Sequence, residues 1–466
     1  MKKIVLIVPD GVAVRNYLYS SFINELQAKG VEVILYHQIS DLAIEEVKKV
    51  QPTLTEIKAI SHFIEKPKAR LLRESLAYAR LKVNTKKLKN PTVMDFWNRN
   101  QKSLKQKVLY RLAEVLGTVF SWNYNLILKM EAKYDTEITK DAIFEKITKD
   151  IEQLNPDYIL NLHQRAPISA PIIAVAKKKK IRTATVIFSW DNVPKARLIS
   201  RYDTYLVWSE IMKSELSLLY PEIEKSSIQV VGTPQFEFYF EEKYSKSKEV
   251  FFSEFGLDSN KKTICFSAND LSSPYEANYL KDVCEAISKM DKEERPQLLF
   301  RRCPVDKSAR FDRVLEKYKD IVFAVDPDWR TEKVNGESFV SIYPTLNDVS
   351  LLVNTVKHCD AVINLGSTMA HDFAVYNKPC LYLNYNPVNN STFKVEMSYK
   401  FQHFRSMNTL IPVGWINSKD QIGELVKQVL STPDEIGKDR ILWMKNIAQY
   451  PLENSSKNIV NSIIKI

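Results

Sequence analysis

Three places in the first half of the chain put a proton-moving side chain directly after a short apolar run. Asp10 and Gly11 follow Ile4–Val8, His163 and Arg165 follow Ile159–Leu162, and Asp191 and Asn192 follow Thr183–Phe188. A buried strand whose end opens on a cleft has this pattern, and an Asp or His at such an end can take a proton from a hydroxyl. Each also has an ordinary structural use. A lone His is commonly a hydrogen-bonding core residue, and Trp190-Asp191-Asn192 could pack one domain on another. The candidate catalytic residues are therefore Asp10, His163 and Asp191, with Gly11, Arg165 and Asn192 expected to touch the acceptor molecule.

The second half carries groups suited to phosphate. Cys359 to Cys380 reads as strand, small-residue turn, helix and strand. Gly366 lets the chain turn, and the amides and hydroxyls of Ser367 and Thr368 open the helix, where free N–H groups favour an anion. The same pair also suits a plain helix cap. Asp372, one turn on, can accept from ribose hydroxyls. Arg301 and Arg302 end another predicted strand, where guanidinium pairs hold diphosphates or form ion pairs. Asn269, in Ser267-Ala268-Asn269-Asp270, borders the same cleft. No metal site is expected: Asp326-Pro327-Asp328 is a poor D-x-D motif with Pro at its centre, and none of the five cysteines forms a C-x-x-C pair. Pro9-Asp10-Gly11 runs into Val12-Ala13-Val14, so the G-x-G-x-x-G dinucleotide fingerprint is missing, as is the P-loop.

Strands and helices must alternate to hold these groups at strand ends. The strands expected are Ile4–Val8, Val31–Tyr36, Pro156–Asn161, Thr183–Phe188, Thr204–Trp208 and Ile228–Val231. After Gly232-Thr233-Pro234 come Thr263–Ser267, Gln297–Phe300, Ser338–Ile342, Ala361–Asn364 and Cys380–Leu383. Helices are expected over Asn16–Ala28, Tyr275–Met290 and Val349–His358. Such alternation implies parallel, doubly wound sheets, with ligands at the strand C-terminal ends. The expected division is a unit over 1–240, a second over 241–432, and helices over 433–466, broken at Pro451, that return to the first unit. A helical stretch over about 60–150 interrupts the first unit as an insertion.

Composition fits this plan. The chain has 466 residues, 45% hydrophobic and 26% charged, which is globular and large enough for two cores. An odd number of scattered cysteines suits a reducing compartment, so a cytoplasmic location is expected. The apolar start is cut short by Pro9 and Asp10 and reads as a first strand, not a signal peptide; no run of 18 apolar residues exists. The net charge of +11 is concentrated in 61–135, where 16 Lys or Arg face 6 Asp or Glu among several aromatics. That mixture suits an anionic membrane surface on the cytoplasmic side, or a set of solvated helices. No nucleic-acid module is recognisable, so no nucleic-acid partner is expected.

The order Asp360, Ser367, Asp372-Phe373, Lys378-Pro379 resembles the donor-nucleotide segment of bacterial CDP-glycerol glycerophosphotransferases and of surface-polysaccharide glycosyltransferases with the GT-B fold. Sugar-nucleotide 2-epimerases carry a related turn. Ser189-Trp190-Asp191-Asn192, Tyr205–Ser209 and Val231–Phe236 resemble the end of the N-terminal domain in the same transferases. Together these stretches span about 70 residues. The resemblance implies two Rossmann-like domains facing across a cleft, with Ser367 and Thr368 on the diphosphate and Asp372 on the ribose. The glycerophosphotransferases usually carry Tyr-Ser-Ser where this chain has Gly-Ser-Thr, and His-Pro where it has Cys303-Pro304, which favours a sugar donor. The expectation is a metal-independent glycosyltransferase with no cofactor, a nucleotide-sugar donor, and a glycan or lipid-linked acceptor for the cell envelope. The alternatives are a CDP-polyol phosphotransferase, a sugar-nucleotide 2-epimerase, and a non-catalytic carbohydrate-binding scaffold.

Overall fold

The computed structural model describes residues 2–97, 103–195, 197–331, 342–389 and 392–464. The first sheet holds β1 (Lys3–Val8), β2 (Glu32–His37), β3 (Glu56–Ala59), β4 (Tyr158–Asn161), β5 (Arg182–Val186), β6 (Thr204–Val207) and β7 (Ile228–Val230). All pair in parallel in the order β3-β2-β1-β4-β5-β6-β7. Its central strands are near-continuous Val, Ile and Leu because helices cover both faces.

The second sheet begins with β8 (Thr263–Ser267), β9 (Gln297–Arg301) and β10 (Val322–Ala324). An antiparallel ribbon of β11 (Trp329–Thr331) and β12 (Ile342–Pro344) follows. The sheet resumes with β13 (Ala361–Asn364), β14 (Cys380–Leu383) and β15 (Gly414–Ile416). Its order is β10-β9-β8-β13-β14-β15, again parallel. Each sheet is built outward in one direction and then in the other. The chain reverses between β1 and β4 in the first sheet and between β8 and β13 in the second. Loops diverge at such a switch point and leave a crevice beyond the strand ends.

Four strands lie outside the sequence expectation: β3, β10, β11 and β15. Each is three or four residues long, and β3 is half-exposed, so none presents an apolar run. Of the expected strand Ser338–Ile342, residues 338–341 lie outside the described residues. The expected helix Asn16–Ala28 is broken into a wide helical turn, Val14–Leu18, and a helix, Phe22–Ala28. Between them Tyr19 donates its hydroxyl to the Pro344 carbonyl, and the Ser20 hydroxyl accepts from the Phe22 amide. Serines take such local bonds readily, which ends helices.

Between β3 and β4, helices Pro67–Leu88, Leu104–Phe120 and Tyr124–Ile138 pack around Leu72, Leu76, Phe120, Ile127 and Tyr134. Helix Ala142–Leu154 leads into β4. Part of the positive charge here is structural. Arg80, fully buried, forks onto Glu131 at 3.0 and 2.9 Å, and Arg201 joins Glu131 and Glu222, both at 2.6 Å. Arg73 is paired with Glu65 and Glu74.

At the C-terminal end, helix Ser455–Ile464 packs on helix Phe22–Ala28. Buried Glu237 accepts from the Ser456 amide (2.5 Å), the Ser456 hydroxyl (2.7 Å) and the Ser21 hydroxyl (3.1 Å). Gly232, at φ +81°, passes so close that a Cβ would lie 2.5 Å from the Ser455 hydroxyl.

Candidate active site at the two switch points

β1 and β4 lie side by side with Ile7 opposite Asn161, so the residues just beyond them meet. Asn161 fixes the turn after β4: its amide donates to the His163 carbonyl (2.9 Å) and the Tyr202 hydroxyl (2.8 Å), and its carbonyl accepts from Ser169 (2.9 Å). Asp10 is held by the Val12 amide at 3.1 Å. Its other oxygen lies 2.6 Å from His163 Nδ1, and both side chains are buried. A carboxylate there calls for a proton on Nδ1, which leaves the Nε2 lone pair as the basic atom. Nε2 is buried and has no hydrogen-bond partner among the described residues. Phe188 stands edge-on to the ring at 4.7 Å, with the Arg165 guanidinium over the Phe188 face at 5.6 Å.

Asp191, the third candidate base, is committed elsewhere. It accepts from Ser189 (2.6 Å) and Asn192 (3.0 Å) and is paired with Lys195. Burial alone would raise its pKa, but Lys195 and His403 outweigh that and hold the carboxyl well below the usual range. Trp190 stands edge-on to His371 (4.8 Å) and His403 (4.7 Å) and packs near Phe404 and Trp443. This turn therefore joins the two halves.

Across the cleft, the Asn269 amide donates to the Leu365 carbonyl at 2.5 Å and ties the end of β8 to the end of β13. Gly366 has φ +65°, and a Cβ there would lie 2.9 Å from Phe404. The Ser367 amide donates to the Asn364 side chain (2.8 Å), and the Ser367 hydroxyl accepts from Met369 (3.3 Å). The turn thus uses part of its own capping capacity, and Thr368 is its exposed member. Asp372 is buried and accepts from Tyr239, in the short helical turn Pro234–Phe240, at 2.8 Å. Burial pushes its carboxyl up, against the opposing pull of the Tyr239 bond and then Arg15.

The paired arginines diverge. Arg301 is buried, bonded to Asp348 at 2.7 Å through Nη2, and its Nη1 has no partner among the described residues; it also acts on Asp372. Arg302 turns away to Asp326 (3.1 Å) and the Ser308 carbonyl (2.9 Å), beside a separate cavity of about 300 Å³. Asp328 accepts from Thr345. No group of three His, Cys, Asp or Glu able to hold a metal occurs among the described residues.

The halves meet over this crevice. A Cβ on Gly11 would lie 2.2 Å from the Ile342 carbonyl oxygen, so the β11–β12 ribbon rests directly on the loop after β1. From that loop Arg15, half-buried and bonded to Asn16 at 3.0 Å, acts electrostatically on Asp372 of the other half. The sequence reading passed over Arg15 because it sits among Val14, Tyr17 and Leu18 in an apparently helical pattern. It also missed an interdomain cavity of about 600 Å³ bordered by Trp190, Ser209, Glu215, His403 and Arg405. Burial pushes Glu215 up to about 7, with Gln402 donating to it at 3.0 Å, and pushes His403 down to about 4. Glu215 lies on an amphipathic helix and reads as a surface residue, so nothing in the sequence marks it.

No protein-family model matches the chain, and no curated protein matches it in sequence. Solved structures do match over its whole length. The UDP-GlcNAc 2-epimerase of Methanocaldococcus jannaschii has a TM-score of 0.53 at 12% identity, covering 100% of both chains. The UDP-GlcNAc 2-epimerase of Neisseria meningitidis, bound to UDP-GlcNAc, has a TM-score of 0.52 at 12% identity, also covering 100% of both. A glycosyltransferase of Rickettsia africae has a TM-score of 0.52 at 13% identity, covering 100% of this chain and 99% of that one. Likeness at this level of identity is a likeness of fold. The chain has the paired Rossmann-like architecture of the GT-B type that sugar-nucleotide 2-epimerases and glycosyltransferases share.

Proposed function

We propose that this chain is an enzyme acting on a nucleotide sugar held between the two switch points, with His163, oriented by Asp10, as its base. The observation that carries the proposal is the 2.6 Å Asp10–His163 pair at the β1/β4 switch point, across from the Gly366–Asp372 segment. Asp10 fixes the tautomer and stabilises the imidazolium that forms when Nε2 takes a proton. The nucleotide is assigned to the C-terminal half, with Thr368 and Arg301 toward the diphosphate and Asp372 toward the ribose. Arg15 reaches the same point from the N-terminal half. Two guanidinium groups there would offset the charge that grows on a departing nucleoside diphosphate.

Two reactions use such a base. Epimerisation at sugar carbon 2 is favoured by analogy of fold with the 2-epimerases. There the base removes the C2 proton as the bond from the anomeric carbon to the diphosphate breaks, giving a C1–C2 double bond; a second group then delivers a proton to the opposite face of C2 while the diphosphate re-forms its bond at C1. Glycosyl transfer is favoured by the helical insertion, since an epimerase has no acceptor to dock. There Nε2 takes the acceptor hydroxyl proton as that oxygen bonds the anomeric carbon and the bond to the diphosphate breaks.

Incubation of the chain with UDP-, GDP- and CDP-sugars in D2O separates these reactions. Deuterium at C2 without any acceptor identifies the epimerase, and acceptor-dependent release of nucleoside diphosphate identifies the transferase. If no nucleotide sugar raises the melting temperature or is turned over, the proposal fails.

A further inference from the structure

Helix Leu104–Phe120 presents a continuous apolar stripe to solvent. Leu104, Val108, Leu112, Val115 and Val119 are 77, 52, 49, 64 and 37% exposed, and Trp122, in the turn that continues the helix, is 77% exposed. The Trp122 amide bonds to the Val119 carbonyl at 3.2 Å, which keeps Trp122 in register with the stripe. At about 100° per residue these six side chains fall within an arc of roughly 80°. The opposite side, Ala113, Gly117 and Phe120, faces the rest of the insertion, where Gly117 lies against Ser75 and Tyr78. The helix therefore has two apolar faces, and only one has a partner among the described residues.

The borders of the stripe are basic. Lys105 and Arg111 lie on opposite edges, each about 60° from the centre of the stripe, and Lys107 lies farther round on the Arg111 side, all exposed. Lys82 of the neighbouring helix joins the second edge through its bond to Thr118 at 3.3 Å. Glu114, the helix's one acidic residue, lies about 120° from the centre of the stripe and is bonded to Trp97 and Arg111. A stripe meant for a second copy of the same helix would carry borders of mixed sign that could pair. Borders that are positive on both sides repel a copy of themselves and complement a negative plane.

We infer that this helix is a docking surface for an anionic lipid bilayer. The stripe lies in the headgroup layer, Trp122 sits at the water–lipid boundary, and Lys82, Lys105, Lys107 and Arg111 meet the headgroup charges. The inference is independent of the reaction catalysed.

The test uses the full chain with vesicles of phosphatidylcholine alone or with about one-third phosphatidylglycerol, at low and high salt. Co-sedimentation with the anionic vesicles is expected, weakened by salt, with a blue shift in tryptophan emission that Trp122→Phe removes. Leu112→Glu with Val115→Glu, at exposed positions that leave the melting temperature unchanged, is expected to lower the partition coefficient at least about tenfold. Joint Lys105→Glu, Lys107→Glu and Arg111→Glu should do the same. Binding to anionic vesicles that is absent at low salt, or unchanged in both variants, overturns the inference. So does a dimer in solution that Leu112→Glu with Val115→Glu dissolves, which would assign the stripe to a second copy.

Discussion

A histidine becomes a useful base when its partner fixes which nitrogen carries the proton, and the proposed role of His163 rests on Asp10 lying 2.6 Å from its Nδ1. His371 shows the opposite use of the same side chain. It is buried between Trp190 and Trp443, neither ring nitrogen has a hydrogen-bond partner among the described residues, and burial pushes its pKa down to about 3. The unfolded chain takes up this proton near pH 6.5, whereas the folded chain does not until about 3. The unfolded state therefore binds more protons in that window, and stability falls as pH drops through it. His371→Phe keeps the aromatic contacts without the proton, so its melting temperature should fall less than that of the wild type between pH 7 and 5, as thermal denaturation will show. Asp10 and His163 were each legible as polar residues closing apolar runs. Their pairing across 153 positions was not, because it depends on β1 lying beside β4. Arg15 and His403 carry no local pattern at all.

The helical insertion is clamped to the first sheet by charge. Arg80 and Arg201 share Glu131, and Arg201 and Arg80 both reach Glu222 beyond helix Glu210–Leu219. Removing one partner of such a buried network leaves an uncompensated charge, which costs about 3–5 kcal/mol. Glu131→Ala should lose roughly that much in urea denaturation, or unfold the insertion ahead of the rest. The elements were well read wherever an apolar run was long: β1, β4, β5, β8 and β13 lie where the sequence places them. The strands missed sit at sheet edges or in the ribbon, where three or four residues with exposed side chains bury too little to mark themselves. The basic insertion was visible as composition. Its exposed stripe was hidden, since a helix with two apolar faces reads as ordinary core until one face is seen to be covered.

At the scale of the molecule, the two halves close on each other through small contacts at many points. The β11–β12 ribbon rests on Gly11, Tyr19 bonds the Pro344 carbonyl, Glu215 meets Gln402, and Trp190 inserts among His371, His403 and Trp443. Gly11 has no room for a methyl group, so Gly11→Ala must push the ribbon away. Overpacking of this kind costs about 1–3 kcal/mol. Small-angle scattering should show a larger radius of gyration for the variant, with both sheets intact by circular dichroism; an unchanged radius would mean that the ribbon contact does not hold the halves together. Closure of this kind would shield the Asp10–His163 pair from water while a ligand is bound.

The central claim is that His163, fixed by Asp10, is the base of a nucleotide-sugar enzyme, and single-turnover kinetics on whichever nucleotide sugar the chain consumes tests it most directly. His163→Asn should bind that nucleotide sugar with unchanged affinity by calorimetry and react at least about a hundredfold more slowly. A variant that turns over at the wild-type rate would contradict the account.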